Sequence, residues 1–198
     1  MRLGVFGGSF DPPHVGHLLA AVDAYEALAL DKLVFVPAAV QPLKTRTSAG
    51  ASPRDRLEMV RRAVADDPRF EVSEAEIDRG GLSYMVETLE QLRAGRPEAE
   101  IFLILGMDAM AMFDRWKSPE RIRKLATLAV LTRRDIGPDD SFDAIAGMMA
   151  VGTRRVDVSS SEIRERIRAG QSIRGFVAES VERYISTANL YASAPRPA

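Results

Sequence analysis

Strand-like and helix-like segments alternate along almost the whole chain, and few architectures accept that order. Arg2–Phe6 (RLGVF) is an apolar run stopped by Gly7-Gly8, as in a buried strand. Apolar positions then fit a helix from about Val15 to Leu30. Lys32–Ala39 (KLVFVPAA) is rich in β-branched and aromatic residues and reads as a second strand. Ser52–Asp67 reads as a helix, with Ser52 as N-cap, Pro53 in the first position and a stripe of Leu57, Val60 and Val64. Phe70–Glu74 alternates like a strand, Ser83–Gly95 reads as a helix, and Glu100–Asp108 is the most apolar strand and the natural centre of a sheet. A capped helix (Ser118–Leu125), a strand (Thr127–Arg133), a last strand (Arg154–Val158) and two helices (Ser159–Gly170, Val177–Tyr191) complete the order. Gln41–Ala51 and Asp135–Ser141 read as loops. The alternation predicts parallel βαβ units with right-handed crossovers. The expected fold is α/β: a single-domain, Rossmann-like doubly wound parallel sheet with C-terminal helices, spanning residues 1–192, with 193–198 as a flexible tail. Such sheets bind ligands at the carboxyl ends of their strands.

Composition removes several classes of function. The 198 residues suit one domain with a sizeable core, and the formal net charge of −1 argues against a nucleic-acid or membrane partner. Absence of cysteine excludes disulfides, thiolate zinc sites and a cysteine nucleophile. The N-terminus does not read as a signal peptide, and no apolar run approaches the roughly 18 residues of a membrane span. A cytoplasmic protein is the expectation; oligomeric state stays open.

Val5–Ala21 (VFGGSFDPPHVGHLLAA) holds three glycines, two adjacent prolines and both histidines of the chain, His14 and His17. The glycine spacing is neither G-x-G-x-x-G nor that of a Walker loop. What remains is a strand, a glycine turn (Gly7, Gly8, Ser9, Phe10), an Asp-Pro-Pro, and His14-x-Gly16-His17 opening a helix. A helix N-terminus offers free N–H groups and a positive dipole end to an anion. Two histidines three residues apart share a face, both can donate to phosphate oxygens, and Gly16 lets a ligand approach the backbone. Capping or core histidines are the plainer alternative, and a metal site is a third. No third ligand cluster supports the metal, so no metal-ligating residue is assigned.

The stretch GGSFDPPHVGHL resembles the H-x-G-H signature of the nucleotidylyltransferase superfamily. VSSSEIR (Val158–Arg164) is similar to that superfamily's second signature near the C-terminus. Ser159, Ser160, Ser161 and Ile163 open a helix, where hydroxyls and free N–H groups suit anionic oxygens, and Arg164 can fork onto phosphate. From Arg154 to Arg174 there are six arginines against three acids, a local basic surface in which i,i+4 pairs account for Arg166 and Arg168. The middle segments, RGGLSYMVETL and GMDAMAMFDRW, resemble bacterial nicotinate mononucleotide adenylyltransferases, a likeness that covers nearly the whole chain.

That resemblance implies adenylyl transfer from ATP to nicotinate mononucleotide, with Mg²⁺ held mainly by the ATP phosphates. It implies His14, His17 and Arg164 as catalytic residues. Gly7, Gly8, Ser9, Phe10, Gly16, Gly106, Asp108 and the Ser159–Ser161, Ile163 segment would bind ATP, with Asp108 ending the central strand and facing the ribose. Lys44, Tyr84, Met85, Thr88, Trp116 and Lys117 would bind the acceptor. Trp116, the only tryptophan, would stack on the pyridine ring; its alternative role is a core anchor. Two departures stand out. VQPLK replaces the usual proline-proline-histidine-lysine around Lys44, and Met85 replaces a threonine, which puts nicotinate over nicotinamide selectivity in question. Phosphopantetheine and nicotinamide mononucleotide are the alternative acceptors, and a nucleotide-binding sensor is the non-enzyme alternative.

Overall fold

The computed structural model describes residues 1–43, 50–133 and 148–192. Among them six strands form one sheet, β1 (Arg2–Gly8), β2 (Lys32–Pro37), β3 (Phe70–Val72), β4 (Glu100–Gly106), β5 (Thr127–Arg133) and β6 (Met148–Thr153). They lie in the order β3-β2-β1-β4-β5-β6, and every neighbouring pair is parallel. The order reverses between β1 and β4, which is where a doubly wound sheet opens a crevice. The helices are α1 (Val15–Ala27), α2 (Pro53–Val64), α3 (Ala75–Arg79), α4 (Met85–Gly95), α5 (Met107–Ala111), α6 (Pro119–Leu125), α7 (Ser160–Arg168) and α8 (Glu179–Thr187).

The two-residue period of the strands divides the core into two layers. Leu3, Val5, Val34, Val36, Leu103, Leu105 and Val130 face one side, under Val86 and Leu89 of α4 and Ile122 of α6. Phe6, Leu33, Phe35, Phe102, Ile104 and Ala129 face the other, under Ala21 and Ala24 of α1 and Val60 and Val64 of α2. Both faces are covered, so the central strands read as unbroken apolar runs. A third cluster joins Met59 of α2 to Ile163 of α7 and Val181 and Ile185 of α8. The helix N-cap expected at Ser52 is realised: its hydroxyl oxygen accepts from the Asp55 N–H at 3.1 Å.

Several local expectations need correction. The last strand is Met148–Thr153, and Arg154–Val158 lies outside any strand. Arg154 is held by a side chain instead of a ladder. Its guanidinium grips Asp23, a carboxylate with no solvent access, at 2.7 Å, and its backbone N–H donates to the same group at 3.0 Å. β4 stops at Gly106, and Asp108 belongs to the first turn of α5. Ser118 precedes α6 in a left-handed conformation, φ +56°, without a side-chain capping bond. Arg166 donates to the Ser172 carbonyl and covers the Phe176 ring, in place of an i,i+4 ion pair. The short helix α3 carries no sequence signal that sets it apart from its flanks.

Candidate active site

The first strand ends in a crowded turn. A Cβ on Gly7 would lie 2.5 Å from the Met85 Cε, and one on Gly8 would lie 2.9 Å from the Phe10 ring. The Ser9 carbonyl accepts from Arg56 Nη1 at 2.7 Å, which pins the turn to α2. Phe10 adopts φ +49°, a costly conformation for a bulky residue. It thereby buries its ring against Phe6, Phe35 and, edge-on at 5.1 Å, His17. Phe10 is 2% exposed, and its side chain is a core group that braces His17. Next come the cis Asp11-Pro12 bond and the start of α1.

His14 is the N-cap of α1 and His17 sits one turn in. Their rings stack at 3.7 Å between centroids. The His14 N–H donates to His17 Nδ1 at 3.2 Å. In the neutral His17 ring the remaining proton is therefore on Nε2, which becomes the donor. The Nδ1 of His14 is buried without a partner in the protein. Burial lowers the His14 pKa to about 4. Two imidazolium rings this close would also repel. A Cβ on Gly16 would lie 3.0 Å from His14 Nδ1, so glycine leaves that ring its place.

The second motif meets the first here. Ser160 Oγ donates to the Pro12 carbonyl at 2.8 Å, and Arg164 Nη1 donates to the Asp11 carbonyl at 2.7 Å. Ser159 caps α7 by accepting from the Glu162 N–H, and Ser161 accepts from Arg164 Nη2. Arg164 Nε is buried without a protein partner. The Ser160 hydroxyl thus ties the two motifs together, the Ser159 hydroxyl is taken by the cap of α7, and Ile163 is fully buried in the C-terminal cluster. The Ile163 side chain packs in the core beside Met59 and Val181.

A cleft of about 370 Å³ opens at the carboxyl ends of β1, β2 and β4. Gly7, Gly8, Gly106, Asp108, Tyr84, Met85, Trp116 and Lys117 all line it. A Cβ on Gly106 would meet nothing within 4 Å, so the strand end faces open space. Trp116 is half-buried against Phe113, 5.5 Å between centroids, and still borders the cleft. It is anchor and wall at once. Lys117 Nζ lies 4.3 Å over the Tyr84 ring and 2.8 Å from a Glu87 oxygen, a contact that raises the lysine pKa and lowers that of the glutamate.

Thr88 does not reach the cleft. It is fully buried, donating to Glu76, and Glu76 lines the cleft in its stead. Glu76, Arg115 and Gln41 also line the cleft; Arg115 and Gln41 lie inside GMDAMAMFDRW and VQPLK but are not singled out there, and Glu76 lies outside every motif. Lys44 lies outside the described residues, as do Asp135–Ser141 and the tail at 193–198.

His14 gives a test of this geometry through stability. Between pH 6.5 and about 4 the unfolded chain holds a proton that the folded ring refuses. The stability from this group is full above pH 6.5 and is lost as pH falls toward 4. Denaturant unfolding at pH 7.5 and pH 4.5 should show His14→Asn escaping a loss of about 2–3 kcal/mol suffered by the parent chain. An equal loss in both proteins would contradict a buried neutral imidazole.

The sequence matches the cytidylyltransferase-like family over residues 5–166. A protein of Gemmatimonas aurantiaca named "Probable nicotinate-nucleotide adenylyltransferase" is 47% identical, over 99% of this chain and 95% of its own length. A protein of the same name from Thermus thermophilus is 44% identical, over 96% of this chain and 100% of its own. The fold is also similar to that of Plasmodium falciparum nicotinic acid mononucleotide adenylyltransferase complexed with NaAD, with a TM-score of 0.77, 16% identity, and coverage of 96% of this chain and 97% of that one. Among the described residues no helix is long and apolar enough to cross a membrane. With two anion-suited motifs joined beside an aromatic cleft, and identities of this size over nearly the full length, the chain belongs to the nicotinate-nucleotide adenylyltransferase family, within the cytidylyltransferase-like superfamily.

Proposed function

We propose that the protein transfers the adenylyl group of ATP to nicotinate mononucleotide, releasing pyrophosphate and forming nicotinate adenine dinucleotide. The observation that carries this reading is one continuous path. The aromatic cleft and the histidine turn share Gly7-Gly8, so a pyridine nucleotide in the cleft directs its phosphate at a triphosphate on the helix starts.

The acceptor phosphate is already an anion, so one of its oxygens can attack the α-phosphorus of ATP without a protein base. An oxygen–phosphorus bond forms as the bond to the pyrophosphate oxygen breaks. The protein's part is alignment and charge stabilisation. His17 Nε2 serves the α-phosphate oxygens, and His14 and Arg164 serve the outer phosphates. Asp108, exposed at the start of α5, is placed to accept from ribose hydroxyls.

The acceptor's carboxylate finds two kinds of donor without a threonine at 85. Met85 and Val86 begin α4, where N–H groups have no intrahelical acceptor. Lys117 stands across the cleft wall, over Tyr84. Glu76 and Glu87 oppose it, so the balance of these charges sets the preference for nicotinate over nicotinamide.

Among the described residues no group of three or more His, Cys, Asp or Glu could hold a metal ion. The unpaired buried atoms on His14, at the start of α1, and on Arg164, in α7, belong to groups that suit anions. Mg²⁺ would be held mainly by the phosphates of the incoming ATP and by water, oxygens that this ion prefers, and would neutralise charge there.

Steady-state kinetics of Trp116→Ala check the cleft assignment. The KM for nicotinate mononucleotide should rise about 10-fold or more through loss of the stacking face, with the KM for ATP changed by less than about twofold. An equal rise for both substrates would return Trp116 to a purely structural role.

A further inference from the structure

Tyr191 follows α8 at the far end of the described chain, and the reaction as derived does not use it. The residue is 9% exposed and packs in the cluster of Met59 and Ile163. Its backbone takes φ +64°. Its hydroxyl donates to Asp11 Oδ1 at 2.8 Å.

Asp11 is a junction of four segments. The same Oδ1 accepts from the Ala51 N–H at 2.9 Å, just ahead of α2. Its Oδ2 lies 3.8 Å from Arg164 Nη1, too far for a good hydrogen bond. That Nη1 donates instead to the Asp11 carbonyl. The backbone at Gly50 closes another side, since a Cβ there would lie 2.2 Å from Oδ2. Arg56 is the second cation nearby, and its Nη1 and Nη2 are taken by the carbonyls of Ser9 and Ala39.

The arrangement poses a competition. An aspartate beside a buried arginine ordinarily draws a bidentate ion pair. Here Tyr191 and Ala51 hold Oδ1, and the carboxylate stops short of Arg164. The guanidinium keeps a buried Nε without a protein partner. We propose that Tyr191 is a positioning residue for the nucleotide: by restraining Asp11, it keeps the Arg164 guanidinium available to the phosphates of ATP. The proposal rests on the phosphate role given to Arg164 above. Burial and the Asp11 charge raise the tyrosine pKa, so the hydroxyl remains a donor at any working pH.

Titration calorimetry with Mg·ATP and no acceptor provides the test, on the full chain. Tyr191→Phe keeps the ring and removes the donor. Its ATP dissociation constant should rise about 5-fold, the scale of one hydrogen bond, while affinity for nicotinate mononucleotide stays unchanged. In an Arg164→Lys background, where the fork is gone, Tyr191→Phe should add nothing further. Asp11→Asn is the second variant: it removes the charge that would capture Arg164, and Tyr191→Phe should have no effect on top of it. Unchanged ATP affinity in Tyr191→Phe, or the same fold-loss in the Arg164→Lys background, would overturn the proposal. The titration needs no turnover, so failure of the wild type to form the dinucleotide would count against the function and leave this result separately readable.

Discussion

Replacing His17 with alanine is expected to lower turnover by about 10²- to 10³-fold, the cost of removing one preorganised donor from developing charge. The ring is fixed three ways. Its Nδ1 accepts from the His14 backbone, Phe10 packs edge-on against it, and the His14 ring stacks beside it. A donor so fixed needs no reorganisation as charge grows on the α-phosphate. The loss should therefore fall on kcat, with ATP affinity and folding near those of the parent. Single-turnover rates and pyrophosphate release give the measurement. A rate within a few-fold of wild type would remove His17 from the reaction.

Arg164→Ala should act on binding more than on the chemical step. Charge-assisted hydrogen bonds contribute about 1.5–3 kcal/mol each, so the KM for ATP should rise about 10- to 100-fold. Arg164→Lys should recover only part of this, because a point charge cannot use the fork that spans Asp11 and Ser161. The variant also loses the tie between the two motifs, so its melting temperature should drop as well. Comparing alanine and lysine variants by ATP KM and by thermal melting separates the two contributions. An ATP KM within twofold of wild type in the alanine variant would remove Arg164 from the phosphate site.

Much of the fold is legible in the sequence because its signals are local. Apolar runs in β1, β2, β4 and β5, the Ser52-Pro53 start of α2 and the glycine turn after Phe6 each depend on neighbours in sequence. β6 is hidden because MMAVGT has a mixed pattern, with Met148 and Val151 buried and Met149 and Ala150 exposed, while RRVDV beside it alternates more regularly. The site divides in the same way. Gly7, Gly8, Tyr84, Trp116 and Lys117 sit on motifs and line one cleft, and His14 and His17 open the helix that follows the same glycine turn. Asp11, Arg56, Glu76 and Tyr191 work through contacts across 12 to 180 positions of sequence, which no local pattern encodes. Phe10, Thr88 and Ile163 lie within motifs yet turn inward. A motif marks a segment, and tertiary packing decides which of its side chains reach the ligand.

The identity of the acceptor decides between the possible reactions. Purified protein with ATP and Mg²⁺ should be offered nicotinate mononucleotide, nicotinamide mononucleotide and phosphopantetheine in turn, with pyrophosphate release followed and the dinucleotide identified by mass. Nicotinate adenine dinucleotide is the expected product of the fastest reaction. Pyrophosphate release with phosphopantetheine and none with nicotinate mononucleotide would contradict it.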